Sequence, residues 1–198
     1  MIVQAIVEGH GDVEAVPLLL RRICHEVLGC YHVKISPAMK VSRGRISKEP
    51  YVSPLLRIAC GATGCTLILL IYDADDDCPA DLNAAFQQWS SRRALSAESE
   101  LIAIPREYEA WFLAALDSLA GKRGLPLTAT ALENAEEIRG AKERLSSLMP
   151  RGTPYVETSD QPALTADLDL DQVTQRCASF RRLIRKLEEH HARCNCVH

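Results

Sequence analysis

Acidic residues directly follow two apolar runs of the chain, and their chemistry is that of metal ligands. Glu8 comes after the apolar run 2–7, and the acidic segment 73–77 (Asp-Ala-Asp-Asp-Asp) comes after the apolar run 66–72. Carboxylate oxygens at this density are the ligands that Mg²⁺ and Mn²⁺ prefer in proteins. The candidate metal ligands are Glu8, Asp73, Asp75 and Asp77.

Two buried strands must position these acids. Each apolar run predicts such a strand, and ligands of an open parallel sheet bind beyond the carboxyl ends of its strands. We therefore expect Glu8, Asp73 and Asp75 to converge around one point. Asp73 and Asp75 are two residues apart, so as strand residues their side chains would point the same way. Bare carboxylates this close repel each other, and a divalent cation removes that conflict.

Asp77 has a second interpretation, because Pro79 predicts the start of a helix two residues later. Its side chain could cap that helix instead of binding a metal. Both interpretations stay open at this point.

The turn after the first strand contains two glycines, Gly9 and Gly11, on either side of His10. They make the turn small enough for a phosphate or a metal to approach the backbone. Asp12 is the expected N-cap of the helix that follows. The glycine spacing is neither that of a P-loop nor that of a dinucleotide site. His10 is either a base or ligand or, as is commoner for such residues, an exposed turn residue.

Three further acids could support the metal ligands. Glu107 and Glu109 are predicted to begin the helix after the fourth strand, where about 200° separates them around the axis, so one should face the cleft. The alternative for each is an acid that only favours the helix N-terminus. Asp160 lies in a predicted loop before Pro162.

Strands and helices alternate along the chain, which predicts an α/β fold with a mostly parallel sheet. We expect one domain over residues 1–198, with a core of about 1–120 and a helical C-terminal extension of about 121–198. The predicted strands are 2–7, 32–35, 66–72 and 100–104. The predicted helices are 12–28, one from Pro79, one from Pro105, 136–148 and 172–190.

The net charge of −3 excludes a protein that coats nucleic acid as a bulk cation, so any such contact must come from a local basic patch. Residues 36–53 predict a long exposed loop that contains two prolines and a cluster of cations. We expect this loop to lie beside the acidic cleft and to contact the phosphate backbone of a nucleic acid. Its four cations are Lys40, Arg43, Arg45 and Lys48.

The sequence also bears on location. No run approaches the ~18 apolar residues of a membrane span, and the first residues form a strand rather than a signal peptide. We therefore expect a cytoplasmic protein that does not contact membranes and whose eight cysteines are thiols. The cysteines and histidines between His190 and His198 suggest a metal-binding tail, but their spacing is not that of a zinc finger, and a frayed terminus is the favoured alternative.

The order of these motifs resembles a known family. A Glu-Gly after the first strand and an Asp-x-Asp after a later one resemble the Toprim domain of topoisomerases, primases and OLD-type nucleases. Three further segments extend the resemblance to the Toprim-like family DUF4276, from about Ile2 to about Leu187. They are 106–112 (Arg-Glu-Tyr-Glu-Ala-Trp-Phe), 140–142 (Gly-Ala-Lys) and 160–161 (Asp-Gln).

The resemblance implies a Toprim/Rossmann-like sheet flanked by helices and a metal-dependent nuclease that cleaves DNA or RNA. Glu8, Asp73 and Asp75 would hold Mg²⁺ (or Mn²⁺), and Glu8 and Lys142 would be catalytic. Lys142 has the alternative of a solvated lysine beside Glu143. The resemblance also implies a partner ATPase in a bacterial phage-defence system, and a homo-oligomer stays open.

Two other classes of function remain. The second hypothesis is a non-catalytic Toprim module that binds nucleic acid or a partner protein. A small-molecule phosphatase or phosphotransferase is disfavoured, because those enzymes carry their Asp-x-Asp after the first strand, whereas here it follows a later one.

Overall fold

The computed structural model describes residues 1–42, 44–62, 64–92 and 95–195, and in these residues a five-stranded parallel sheet forms the centre of the molecule. The strand order is β2–β1–β4–β5, and β3 pairs with the end of β1 on the same side as β2. The strands are β1 (Ile2–Val7), β2 (Lys34–Ile35), β3 (Met39–Lys40), β4 (Leu67–Asp73) and β5 (Glu98–Ile104). Val7 pairs with Ile71, so β1 and β4 end side by side. The predicted α/β fold with a parallel sheet is confirmed.

The helices of the described residues flank this sheet. They are α1 (Asp12–Arg22), α2 (Glu49–Gly61), α3 (Pro79–Ser90), α4 (Glu109–Ala114), α5 (Leu116–Leu119), α6 (Ala141–Leu148), α7 (Glu157–Asp167), α8 (Leu170–Arg176) and α9 (Ala178–Asn195). A π-helical segment (Ile23–Val27) continues α1, and a 3₁₀ turn (Ala135–Glu137) precedes α6.

The two faces of the sheet belong to two different hydrophobic cores. Val3 and Leu69 point into a large core that contains the buried residues of α1 and of α4 to α9. Ile6 and Leu70 point into a smaller core formed with α2 and α3. Because side chains alternate along a strand, a continuous apolar run such as residues 67–72 can serve both cores. Helices after residue 120 pack on the same large core as the first strand.

The predicted loop 36–53 is wrong at residues 49–53, which begin α2, and at Met39–Lys40, which form β3. Pro50 occupies the first turn, where its missing N–H removes no helical bond, and Pro54 is accommodated inside the helix. Val52 and Leu56 are fully buried against the sheet. Packing of this apolar face therefore outweighs the low helix propensity of proline.

The predicted last helix, 172–190, is also wrong, because it is two helices broken at Cys177. Asp169 caps α8 by accepting from the amides of Asp171 and Gln172. The amide of Ala178, at the start of α9, donates to the Glu136 carboxylate at 2.6 Å. That cap comes from a residue 42 positions away, so no local pattern could indicate the break.

The C-terminal helix α9 is fixed to the end of the sheet where β4 and β5 begin, opposite the end that carries Glu8 and Asp73. His190 is buried, and its ring nitrogens contact the Thr66 hydroxyl and the Glu98 carboxylate, each at 3.0 Å. Lys186 pairs with Glu100 of β5 at 2.9 Å. Within the described part, His190 thus has a structural task, while Cys196 and His198 of the suggested metal tail lie outside the described residues.

Within the described ranges, no helix combines the length and the apolar character needed to cross a lipid bilayer. The cysteines described by the structure are all free thiols. Burial raises the pKa of the Cys24 and Cys177 thiols to about 12, as expected for cysteines that act as small core residues.

Candidate functional site

A cleft of about 540 Å³ opens at the carboxyl ends of β1 and β4. Its lining is rich in acids and also includes two lysines. The acids are Glu8, Asp12, Asp73, Asp75, Glu107 and Glu157, and the lysines are Lys40 and Lys142. The adjacent ends of the two strands thus bring Glu8, Asp73 and Asp75 to one cleft.

Asp73, the last residue of β4, is the focus of the negative charge. Burial raises the pKa of Asp73 well above the usual aspartate value, and neighbouring carboxylates raise it further. These neighbours are, in order of effect, Asp12, Glu109, Glu107 and Asp75. Without a cation, the fold therefore disfavours the charged form of this side chain relative to an exposed aspartate.

Asp75 reaches the cleft by a different route from the one predicted. β4 ends at Asp73, and Asp75 has a left-handed backbone with φ of 50°, so the alternation of a strand does not apply to it. The Arg106 guanidinium donates to the Asp75 carbonyl oxygen and holds this turn. The turn, rather than the strand, directs Asp75 to the cleft.

Asp12 is a cleft acid that the sequence did not identify. It is not the predicted N-cap, because Gly11 takes that position and no side chain caps the helix. The buried Asp12 carboxylate instead accepts from the Gly9 amide at 2.9 Å and from the Gln161 side chain at 2.6 Å. Burial raises the pKa of Asp12, and these two hydrogen bonds oppose the shift. An aspartate at the start of a helix predicts an N-cap from the sequence. The buried position of Asp12 depends instead on its hydrogen bond with Gln161 of α7, a distant part of the chain.

The two glycines of the first turn lie in different surroundings, because Gly9 lines the cleft and Gly11 packs against α7. A Cβ on Gly9 would lie 2.7 Å from an Asp12 carboxylate oxygen. A Cβ on Gly11 would lie 2.7 Å from the Glu157 carbonyl oxygen and would collide with the Gln161 side chain. The space over Gly11 is thus filled by α7, while Gly9 lines the main cleft, so the approach of a phosphate or metal to this turn stays a prediction at Gly9.

Gly11→Ala should therefore destabilise the fold by about 1–3 kcal/mol, the usual range for overpacking. For a chain of this size that loss corresponds to a decrease of roughly 2–12 °C in Tm, which differential scanning calorimetry measures. Gly61→Ala is the matched control, because nothing lies within 4 Å of a Cβ at the end of α2. An unchanged Tm for Gly11→Ala would show that α7 does not pack on this turn.

Glu107 lines the cleft and Glu109 does not, so one of the two faces it as expected, although both act electrostatically on Asp73. The argument from their angular separation fails because the helix begins at Glu109, not at Pro105. Glu107, in the preceding turn, lines the cleft and accepts from the Lys142 amide at 2.9 Å. Glu109 is buried, and burial raises the pKa of its carboxyl group, while Lys142 partly offsets this.

Lys142 lies in the first turn of α6, on the wall of the cleft. Its ammonium group pairs with the Glu157 carboxylate at the start of α7, and not with Glu143. The same charge opposes the raised pKa values of Asp12 and Glu109. The charge of Lys142 thus acts on two of the acids that surround Asp73.

Asp160 turns away from the cleft. It belongs to the first turn of α7 and not to a loop, and its buried carboxylate pairs with Arg123 at 2.6 Å. Its second oxygen accepts from the Val156 amide at 2.7 Å. The neighbouring Gln161, rather than Asp160, contacts the acid cluster through Asp12.

Asp77 lines a smaller adjoining cavity of about 250 Å³, together with Glu8 and Asp73. It is exposed, and it does not cap α3, since Cys78 takes the N-cap position without a side-chain bond. The capping alternative is therefore wrong. Asp77 remains at the rim of the acidic site rather than at its centre.

The basic loop borders these cavities. Lys40, in β3, lines the main cleft, and its ammonium group lies 2.5 Å from the His10 ring nitrogen. The Arg45 guanidinium lies over the Tyr51 ring, 4.5 Å from its centroid. Lys48 is exposed at the start of α2. Arg43 falls outside the described residues.

The donor set of the cleft is oxygen-rich and anionic, which fits a hard divalent cation such as Mg²⁺ or Mn²⁺. In the described ranges, no three acidic, histidine or cysteine side chains form a ready-made metal-binding group. A cation in this cleft would therefore have to draw the carboxylates inward, and its charge would offset their mutual repulsion.

A comparison with protein families matches residues 7–188 to a family described as "Domain of unknown function (DUF4276)". The matched region includes all of the acids of the cleft. Searches of curated proteins and of solved structures found no match for the chain.

Proposed function

The chain belongs to the DUF4276 family, and from that premise and the geometry of the acidic cleft we propose that it is a metal-dependent nuclease. In this proposal it hydrolyses phosphodiester bonds in DNA or RNA. We also propose that its sheet is related to the Toprim domain, because Glu8 and the Asp73–Asp75 turn stand at the ends of adjacent parallel strands.

The observation that carries the proposal is the concentration of carboxylates around Asp73 in a cleft that also holds Lys142. A structural ion pair would match each acid with a cation, but here acids outnumber the lysines. Keeping repelling carboxylates together costs stability unless a cation binds them. Perturbed acids in a cleft are typical of functional sites.

Glu8, Asp73 and Asp75 would hold Mg²⁺ or Mn²⁺, with Asp77 at the rim. When bound, such an ion would supply an activated water and stabilise charge on the phosphate oxygens. Asp12 and Glu107 keep the acid cluster in place through their bonds to the Gly9 and Lys142 amides. Lys142 would neutralise charge on the reacting phosphate, the task of a positioned cation in phosphoryl transfer.

The biological setting is a proposal as well. We propose a cytoplasmic protein that acts in phage defence beside a partner ATPase, and a homo-oligomer stays open. The support is the family resemblance described above. Co-purification with an ATPase encoded beside it would test this setting.

The basic loop is the proposed contact for the nucleic-acid backbone. Replacing Lys40, Arg45 and Lys48 with alanine should weaken binding of a labelled oligonucleotide and lower the slope of log K against log salt by about 2–3, since each lost phosphate contact removes roughly 0.9 from it. Fluorescence anisotropy over a KCl series measures this slope. An unchanged slope would reduce the loop to solvated surface.

The proposed activity is tested by incubating the protein with plasmid DNA, single-stranded DNA and structured RNA. Each substrate is tested with Mg²⁺, with Mn²⁺ and with EDTA. Cleavage should require the metal and should be lost in Glu8→Gln. Glu14→Gln is the matched control, because Glu14 is an exposed acid on α1 outside the cleft lining.

If no substrate is cleaved with either metal, even after the partner ATPase is added, the nuclease proposal fails. Retained oligonucleotide binding in that case would favour the non-catalytic module that binds nucleic acid. Loss of both cleavage and binding would leave a protein-binding module as the alternative.

A further inference from the structure

Two arginines beside the acidic cleft share a single carboxylate oxygen. Arg106 and Arg139 both place an Nη1 atom on Oδ1 of Asp76, at 3.0 and 2.5 Å. They line a cavity of about 280 Å³ that also includes Asp75 and Glu107 of the main cleft. The arginine pair therefore lies immediately beside the proposed reaction centre.

We propose that Arg106 and Arg139 form a clamp for a backbone phosphate of the nucleic acid, and that Asp76 fills this clamp in the free protein as a built-in anion. The identity of the ligand depends on the proposed nuclease function. Asp76, although part of the acidic segment 73–77, is then not a metal ligand but a competitor of the substrate.

The geometry of the clamp supports this assignment. An oxygen held between two guanidinium groups is the arrangement that arginines adopt around phosphate, whose two free oxygens can engage both forks. Asp76 engages both arginines through one oxygen only. A phosphodiester can thus offer the pair more acceptor sites than the carboxylate it replaces.

The exposure of the three side chains makes the exchange feasible. The Asp76 and Arg139 side chains are 72% and 70% exposed, so the ion pair between them adds little stability and is easily displaced. The Arg106 side chain is only 26% exposed, and it also donates to the Asp75 carbonyl oxygen. Arg106 is therefore the fixed half of the clamp, and Arg139, just before α6, is the adjustable half.

The clamp also explains why a strongly acidic turn would not repel its substrate. Arg106 holds the turn that carries Asp75, and it shares Asp76 with Arg139, its partner in binding the phosphate. A phosphate in the clamp would fix the strand at a set position relative to Asp75 and Glu107, which line both cavities.

The test measures binding without cleavage, in an Asp73→Asn background, with labelled duplex DNA, single-stranded DNA and RNA. Asp76→Asn should tighten binding about two- to tenfold, because exposed ion pairs of this kind are worth a few-fold each. Arg139→Ala should weaken binding and lower the salt slope by about 0.9, as expected for one lost phosphate contact. Anisotropy titrations over a KCl series give both quantities.

A double-mutant cycle separates the clamp from a general effect of charge. In an Arg139→Ala background, the gain from Asp76→Asn should shrink, because the released arginine is missing. Asp81→Asn is the matched acid control and Arg144→Ala the matched arginine control, since both residues are exposed and outside the cavity. Neither control should change the salt slope by the amount seen for Arg139→Ala.

Unchanged or weaker binding by Asp76→Asn, with a lower Tm, would overturn the proposal and leave the three residues as a structural clip. Inorganic phosphate alone should not displace the oligonucleotide at the same concentration; displacement would assign the clamp to free phosphate instead. The clamp and the nuclease proposal fail separately. Cleavage without an effect of Asp76 refutes only the clamp, and tighter binding without cleavage by the wild type refutes only the nuclease.

Discussion

Replacing Asp73 with asparagine should abolish cleavage while raising the thermal stability of the metal-free protein. The lost carboxylate is the proposed central ligand, and losses of roughly 1,000-fold are usual when a preorganised charged group is removed from an active site. The gain in stability follows because burial and four neighbouring carboxylates disfavour the charged form of Asp73. Cleavage assays and calorimetry in EDTA measure the two effects on the same preparation.

The pH dependence of stability gives this prediction a second readout. The folded protein raises the pKa of Asp73 above its unfolded value, so between these two values the folded state binds more protons. The metal-free wild type should therefore lose stability relative to Asp73→Asn as the pH rises from the ordinary aspartate value through the folded pKa. The difference in Tm between the two proteins should be largest above the folded pKa.

Metal binding should reverse the order of stability. Mn²⁺ at about 100 times its Kd would stabilise the wild type by about 2.7 kcal/mol through binding to the folded form, and Asp73→Asn should lose most of this gain. The exposed Asp81 provides the control Asp81→Asn, which should change neither cleavage nor the response to Mn²⁺. An unfolded Asp73→Asn variant would instead make this acid structural.

Lys142→Ala should slow cleavage by roughly 100- to 1,000-fold, the usual effect of removing one donor that stabilises charge in the transition state. The affinity of the cleft for the metal should not fall, because removal of the lysine makes the charge of the cleft more negative. The effect should therefore appear in kcat rather than in the metal concentration needed for activity. Steady-state kinetics over a Mn²⁺ series separates these two quantities.

Two controls decide whether Lys142 acts on the substrate or only on its neighbour. Lys122→Ala removes a half-exposed lysine that pairs with Asp167 on another surface, and cleavage should be unchanged. Glu157→Gln frees Lys142 from its ion pair, and it should retain cleavage if the lysine serves the phosphate. A Lys142→Ala variant with wild-type kcat and a lower Tm would show that the pair with Glu157 is structural.

The longer strands were predictable from the sequence because their signal is local, whereas the two-residue β3 was not predicted. The run 2–7 is apolar except for Gln4, and it forms β1 with the predicted bounds. The run 66–72 becomes β4 with a shift of one residue. A strand buried on both faces needs nearly every residue to be apolar, so the sequence carries the information directly.

Elements whose stability comes from distant partners were not predictable in the same way. α2 contains two prolines and forms because its apolar face packs on the sheet. The break at Cys177 depends on a cap from Glu136, far away in the chain. Local propensity describes neither contact, because the energy that decides them comes from tertiary packing and from a distant cap.

The same distinction between local signals and distant partners applies to the candidate site. Position in the sequence, at the carboxyl ends of apolar runs, was enough to select Glu8 and Asp73, because parallel strands bring their ends to one edge. The sequence by itself therefore determined the longer strands and the acidic character of that edge. Only the tertiary structure decided which other charges face Asp73. Contacts with α7 and α6 hold Asp12 and Glu107 near Asp73, and Glu109 is buried beside it. In contrast, Asp160 pairs with Arg123, and Asp76 pairs with Arg106 and Arg139. The direction of a side chain near a turn depends on what packs against it, and those partners come from remote parts of the chain.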